Sequence, residues 1–537
     1  MDHGMDTDVV IVGGGHNGLT AAAYLARAGL SVTLLERLGH TGGAAVSAQA
    51  FPGLPTRLSR YSYLVSLLPQ SVVRDLDLDV ALVSRGTASF TPTLRGERPG
   101  GLLVEHDEGE ATRRSFRELT GTDAEHEAWR TFYAEVAELA RVVEPTLTQP
   151  LPTDRALAAQ VAAIAGPQVW TDVVTRPLGE AVERRFADDT VRGVVATDGL
   201  IGTFASLHDP SLIQNRCFLY HLVGNGTGEW RVPVGGMGAV TDALHRAAVQ
   251  AGAQVVTGAG VSAIRAGRDE GDLGSGVEVD WTDDAGGRHT LRARVALSGV
   301  APWVLRILLG DGEDAASKPE GAQLKINLLL SRLPRLRSGV DPAVAFAGTL
   351  HLGEDYTELE AAHADAAAGR VPAAMPGEVY CHSLTDPSIL GEVPEGTHTL
   401  TYFGLHTPAS LFDDGAGGVD PAAKQLAVDR ALASLQQHLD EPLMDCVARD
   451  GDGNPCLEAK VPQDVERDLA MPGGHIFHGD LEWPWAPHRA RLETPGQRWG
   501  VHTDRPAVLL CGSGARRGGA VSGLGGHNAA QAVLEMF

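Results

Sequence analysis

Gly13, Gly15 and Gly18 stand at G-x-G-x-x-G spacing, and an acid, Glu36, follows them at the distance expected of a ribose-binding carboxylate. A turn of this kind can cradle a pyrophosphate. Gly13 permits a tight exit from a strand, Gly15 has no side chain to hold a phosphate off the backbone, and Gly18 allows a helix to pack closely on a sheet. Gly14, His16 and Asn17 complete the turn, and the helix that starts there presents N–H groups and a partial positive charge to an anion. The chemistry implied is that of a bound dinucleotide. His16 reads as a phosphate-proximal or packing residue.

Other residues suggest reactivity. Lys325 lies within the apolar run Leu324–Leu330, where an ammonium is costly to bury unless paired or hydrated. It either faces a reaction site or alternates outward to solvent. His475 and His478 occupy a glycine-flanked loop just before Trp483-Pro484-Trp485. The histidines could flank a pocket and Trp483 and Trp485 could wall it for an apolar substrate, or all four could simply pack a core. No carboxylate or third histidine accompanies His475 and His478 at ligand spacing, so no metal site is expected. Arg516 and Arg517 could serve an anionic group or form a solvated surface pair.

The elements that must position these groups can be traced. An apolar strand (9–12), a helix (19–28) and a second strand (31–35) flank the glycine turn. A second glycine cluster, Gly235-Gly236-Met237-Gly238, precedes an amphipathic helix over 239–251 and short strands at 253–257, 261–264, 277–281 and 291–298, which read as a small sheet. A third cluster closes the chain, where the strand 508–511 runs into Gly512-Ser513-Gly514 and Gly518–Gly523 and then a helix over 526–537. Helices are expected at 123–143, 153–165 and 422–439, and strands at 324–330 and 398–404. The fold class is α/β: a discontinuous Rossmann-like domain from 1–60, 225–310 and 495–537, and a substrate domain of mixed sheet with helical cover from 61–224 and 311–494.

The 537 residues suffice for two or three domains. A net charge of -24 disfavours nucleic acid and anionic membranes as partners. No apolar run is long enough for a spanning helix, and the first residues carry no secretory pattern. The five scattered cysteines form no C-x-x-C pair and fit a reducing cytoplasm.

The three glycine clusters, together with Gly42-Gly43-Ala44-Ala45, Leu58-Ser59-Arg60-Tyr61-Ser62-Tyr63 and Gly473–Gly479, resemble the phytoene desaturase and amine oxidase flavoprotein superfamily. Within it they are most similar to the branch called pyridine nucleotide-disulfide oxidoreductase domain-containing protein 2. The resemblance implies an FAD cofactor. Gly13, Gly15, Gly18 and the pair Gly42 and Gly43, with Ala44 and following Arg37, would lie along the phosphates. Glu36 would hold the adenosine ribose and Val261 the adenine. Gly512 and Ser513 would meet the flavin-side phosphate or ribitol, and Ala520, Val521 and Ser522 the pyrimidine edge. Lys325 matches a lysine that holds a water near the flavin in amine oxidases. Arg60, Tyr61, Trp483 and Trp485 would line the substrate site, with Lys325 and His478 as catalytic candidates. The implied activity is hydride abstraction from a C–H or C–N bond of a largely apolar small molecule. Redox-neutral isomerisation of a polyene and a non-catalytic flavoprotein are alternatives. The electron acceptor, oligomeric state and peripheral membrane contact stay open.

Overall fold

A computed structural model describes residues 6–96, 98–268 and 276–537. Its first sheet has seven strands. Thr7–Val12 lies at the centre, pairing in parallel with Val32–Leu35 on one side and with Arg288–Ser298 on the other. Val508–Leu510 extends the parallel set beyond Arg288–Ser298, and Gln254–Val256 extends it beyond Val32–Leu35. The central strand is buried along nearly its whole length, as a parallel strand covered on both faces must be. The expected small mid-chain sheet is not separate. Arg288–Ser298 is long enough to pair its first half with the antiparallel strand Val277–Thr282 and its second half with Thr7–Val12, so Gly260–Ala266 and Val277–Thr282 join the main sheet.

The helices that follow the three glycine clusters, His16–Arg27, Met237–Gln250 and Leu524–Met536, gather on this sheet. Small buried residues make the approach close: Ala21, Ala22 and Ala23 on the first helix, Ala529 and Ala530 on the last. At Gly526 a Cβ would lie 1.9 Å from the Asn17 carbonyl oxygen. Only a residue without a side chain lets these two helices touch backbone to backbone.

A second seven-stranded sheet takes strands from residues 87–105 and 324–460. Leu324–Leu330 is an inner strand, antiparallel to both His398–Gly404 and Leu457–Lys460. All seven of its residues are buried, Lys325 included, because the sheet is covered on both faces there. That excludes the solvent-facing alternative for Lys325. Helices between residues 110 and 223 form a cover whose core contains Phe116, Trp129, Phe132 and Phe218. Among the described residues no helix is long and apolar enough to cross a membrane.

Gly526→Ala should therefore cost about 3 kcal/mol of stability through overpacking against fixed backbone. Gly39→Ala, where a Cβ meets nothing within 4 Å, should leave the melt unchanged. Thermal unfolding of the two variants beside the parent chain checks this.

Candidate active site

A long cavity runs between the two sheets, with the glycine turn on its floor. At one end lie Glu36, Arg37 and Val261. Gly13, Gly15, His16, Asn17, Gly18, Gly43 and Ala44 follow, then Gly512, Ser513, Ala520, Val521 and His478. The far end is walled by Tyr61, Tyr63, Lys325, Phe403 and a group of titratable side chains.

The turn is built by exclusion. Gly13 has φ +101°, in the left-handed region, and a Cβ on Gly18 would stand 2.1 Å from the Gly13 carbonyl oxygen. Gly15 differs: a Cβ there would meet nothing within 4 Å and would simply intrude on the cavity. Glu36 is locked in place, one carboxylate oxygen accepting from the Gly14 N–H at 2.7 Å and the other from the Leu38 N–H at 2.8 Å. The Gly42 N–H donates to the Gly14 carbonyl at 2.9 Å, which holds the second glycine pair against the first. Asn17 Nδ2 donates to the Gly518 carbonyl at 3.1 Å and so ties the turn to the C-terminal loop. The remaining Asn17 oxygen and His16 Nε2 are buried without a partner. A cradle with open space at Gly15, a helix N-terminus beneath it and orphaned polar atoms beside it fits a dinucleotide pyrophosphate.

Several expected residues stand apart from this cavity. Gly14 and Gly42 are consumed in the turn itself, and the Ser522 hydroxyl accepts from the Leu524 N–H at 3.2 Å, starting the last helix. Arg60 turns away to pair with Glu458, its Nε 2.9 Å from a carboxylate oxygen. Trp483 and Trp485 stack on each other at 5.0 Å and border a separate shallow recess, Trp485 also meeting Trp170. The main cavity takes Phe477 and Leu481 from that stretch instead. Arg516 meets the Glu482 carboxylate beside the separate recess, and Arg517 serves neither role read from the sequence. Arg516 donates to the Trp483 and Trp485 carbonyls, and Arg517, fully buried, donates to the carbonyls of Thr146, Gln149 and Trp499.

Lys325 Nζ donates to the carbonyls of Ser59 at 2.8 Å and Tyr61 at 2.6 Å and sits 4.8 Å from the Tyr63 ring centre. Burial moves its ammonium well below the usual lysine range. His478 holds a left-handed backbone at φ +65°, and its buried Nδ1 lacks a partner. Desolvation, with smaller contributions from His475 and His16, lowers it to about 3, so the ring is neutral at ordinary pH.

The sequence reading missed the far end. Asp198, Glu378, Tyr380 and Arg85 face the cavity. Behind them His351 Nδ1 and Glu354 lie 2.6 Å apart, with Glu378 3.9 Å from the same nitrogen and hydrogen-bonded to the Tyr380 hydroxyl. His351, Glu354 and Glu378 thus cluster with ligand-type atoms within 4.8 Å of one another. The i, i+3 spacing of His351 and Glu354 was visible in the sequence, but Glu378 comes from a neighbouring strand and Asp198 from the helical cover.

Residues 11–75 match the family of NAD(P)-binding Rossmann-like domains. An uncharacterised protein of Mycobacterium tuberculosis is 49% identical over 99% of this chain and 98% of its own length. Pyridine nucleotide-disulfide oxidoreductase domain-containing protein 2 of Rattus norvegicus is 30% identical over 98% of this chain and 93% of that protein. The chain belongs to this family. Among solved structures, a putrescine oxidase variant superposes with a TM-score of 0.57 at 16% identity, covering 99% of this chain and 100% of that one. The protein is an oxidoreductase of that family, with an α/β fold of two domains that it shares with the putrescine oxidase. Disulfide chemistry is no part of the structure: all five cysteines are free and buried, and burial pushes Cys217 and Cys511 up to about 12.

Glu378 is raised to about 8, chiefly by burial and then by the Glu354 charge. The folded chain therefore binds a proton there that the unfolded chain releases near pH 4.5, so this group's stabilisation is complete below that pH and lost as pH rises through 8. Glu378→Gln removes the titration. Relative to the parent, the variant should gain stability between pH 5 and 8, by up to about 1.4 kcal/mol per pH unit, in thermal melts taken across that range.

Proposed function

We propose that the chain is an FAD-dependent oxidase or dehydrogenase that oxidises an H–C–X–H unit, with X carbon or nitrogen, of a small molecule with a largely apolar body. The observation that carries this reading is the continuity of the cavity, from Glu36 past the open face of Gly15 to Lys325 and the aromatic far end. In it, Gly13, Gly15, Gly18 and Gly43 would hold the pyrophosphate and Glu36 the adenosine ribose, with Arg37 and Val261 around the adenine. Gly512 and Ser513 would meet the ribitol side, and Ala520 and Val521 the pyrimidine edge. FAD bound there would supply a two-electron acceptor for hydride from the substrate carbon.

The chain's own residues deal with the proton and the water. Burial biases Lys325 toward its neutral amine form. Nζ donates to the Ser59 and Tyr61 carbonyls, which fixes it at the cavity wall. Nζ is then placed to accept, directly or through one water, the proton that leaves as the double bond forms. Tyr63, Phe403 and Phe477 exclude bulk solvent. His478, held neutral, serves as a hydrogen-bonding wall rather than an acid.

Purified protein should be yellow, release FAD on denaturation, and bleach anaerobically with an oxidisable substrate. Gly15→Val has room and an ordinary backbone (φ −70°, ψ 174°), so it should fold with an unchanged melt yet carry no flavin. Lys325→Met should slow flavin reduction about 100-fold and abolish its pH dependence, with FAD still bound. Protein that stays colourless after incubation with FAD would sink the proposal, and a product of unchanged mass would redirect it to isomerisation.

A further inference from the structure

Arg85 stands out among the half-buried charges. Its guanidinium faces the far end of the cavity, and its one hydrogen bond among the described residues runs from Nη1 to Thr349 Oγ1 at 2.9 Å. The Tyr380 ring lies 5.9 Å from Cζ. No described carboxylate comes within the 4.0 Å of an ion pair. Each neighbouring acid has its own business. Glu229 pairs with His106 and Arg231, and Glu378 takes the Tyr380 hydroxyl beside His351. Asp198 faces the cavity without touching the guanidinium.

Two other guanidiniums are each held by several groups. Arg517 is satisfied by three carbonyls, and Arg185 by Glu135 and Asp172. A guanidinium that lines a cavity, and whose Nε–Nη2 edge makes no hydrogen bond among the described residues, lacks the partner that would repay its desolvation. That edge is a planar fork, matched by the two oxygens of a carboxylate. Around it the walls are Tyr63, Tyr380, Trp230, Leu64 and Ile201, which suit an apolar chain.

We propose that Arg85 is a substrate-binding residue that anchors a carboxylate at the far end of the cavity, so that the molecule oxidised is an anionic one, a carboxylate on an apolar body. This rests on the reading of the cavity as a substrate site and deepens it. The aromatic series Lys325, Tyr63, Tyr380, Arg85 then spaces the anchored end away from the reacting end: Lys325 Nζ is 4.8 Å from Tyr63, and the Tyr63 and Tyr380 rings are 4.7 Å apart.

Isothermal titration of the protein as purified with octanoate, octan-1-ol and octylamine tests this. Octanoate should bind at least about tenfold more tightly than the other two. Arg85→Gln should weaken octanoate about tenfold or more while leaving octan-1-ol unchanged, and Arg85→Lys should recover part of the loss. Thr349→Val, which releases the guanidinium without removing it, should weaken octanoate several-fold and stands in if Arg85→Gln does not fold. An octanoate affinity unchanged by Arg85→Gln or by Thr349→Val, octylamine as the tightest ligand, or no octanoate binding overturns the proposal. The heat of binding reports cavity occupancy and not electron transfer. A colourless protein that binds octanoate through Arg85 therefore refutes the flavin reading alone, and a yellow one that ignores octanoate refutes this one alone.

Discussion

Backbone pressed against backbone at glycine is the constraint on which the rest of the structure depends. Gly18 abuts the Gly13 carbonyl, Gly512 abuts Gly299, and Gly526 abuts Asn17. These contacts join the N-terminal turn, the end of the strand Arg288–Ser298 and the C-terminal loop into one floor. Each position excludes even a methyl group, because the atom a Cβ would strike is main chain and cannot swing aside. The parallel strands converge on this floor, and their helices start from it, so the positive ends of two of them are brought to the same cavity. Gly15, alone in the turn, faces empty space, and that difference separates a glycine that packs from one that leaves room for a ligand.

Charge is distributed along the cavity in a matching order. The glycine end offers N–H groups and one carboxylate, Glu36, already held by two backbone donors. Its geometry is set before any ligand arrives, so little ordering entropy remains to be lost on binding. The middle offers Lys325 and His478, both shifted by desolvation away from their charged forms. The far end concentrates the titratable side chains, with the His351–Glu354 pair behind Glu378 and Tyr380. Water exclusion has opposite consequences at the two ends. It strengthens the backbone donors of the floor, and it drives the acids of the far end toward protonation. Arg517 shows how the same chain holds a buried cation: carbonyls from two distant segments, Thr146 and Gln149 in one and Trp499 in the other, accept from it and fasten the C-terminal loop to the helical cover.

Much of the fold was legible from local patterns. The glycine turn with its flanking strands, the strands Leu324–Leu330 and His398–Gly404, and the long helices of the cover emerge within a residue or a few of where periodicity puts them. Local physics decides these: apolar runs, alanine-rich helical stretches, and glycines at turns. The fusion of the mid-chain strands into the main sheet was not legible, because it depends on one strand being long enough to serve two partners in opposite senses, and strand length is settled by what pairs with it.

The amino-acid sequence by itself determined the glycine turn at the near end, since Gly13, Gly15, Gly18 and Glu36 lie within one short stretch and act through backbone geometry that residue type dictates. Only the tertiary structure decided the other end. Trp483 and Trp485, adjacent to the histidine loop in sequence, pack beside a different recess, while Arg85, Asp198, Glu378 and Tyr380 come together from segments far apart in the chain. No spacing rule connects such residues. Their proximity follows from how the helical cover and the second sheet close over the first, and the same closure, by excluding water, determines which of them carry charge.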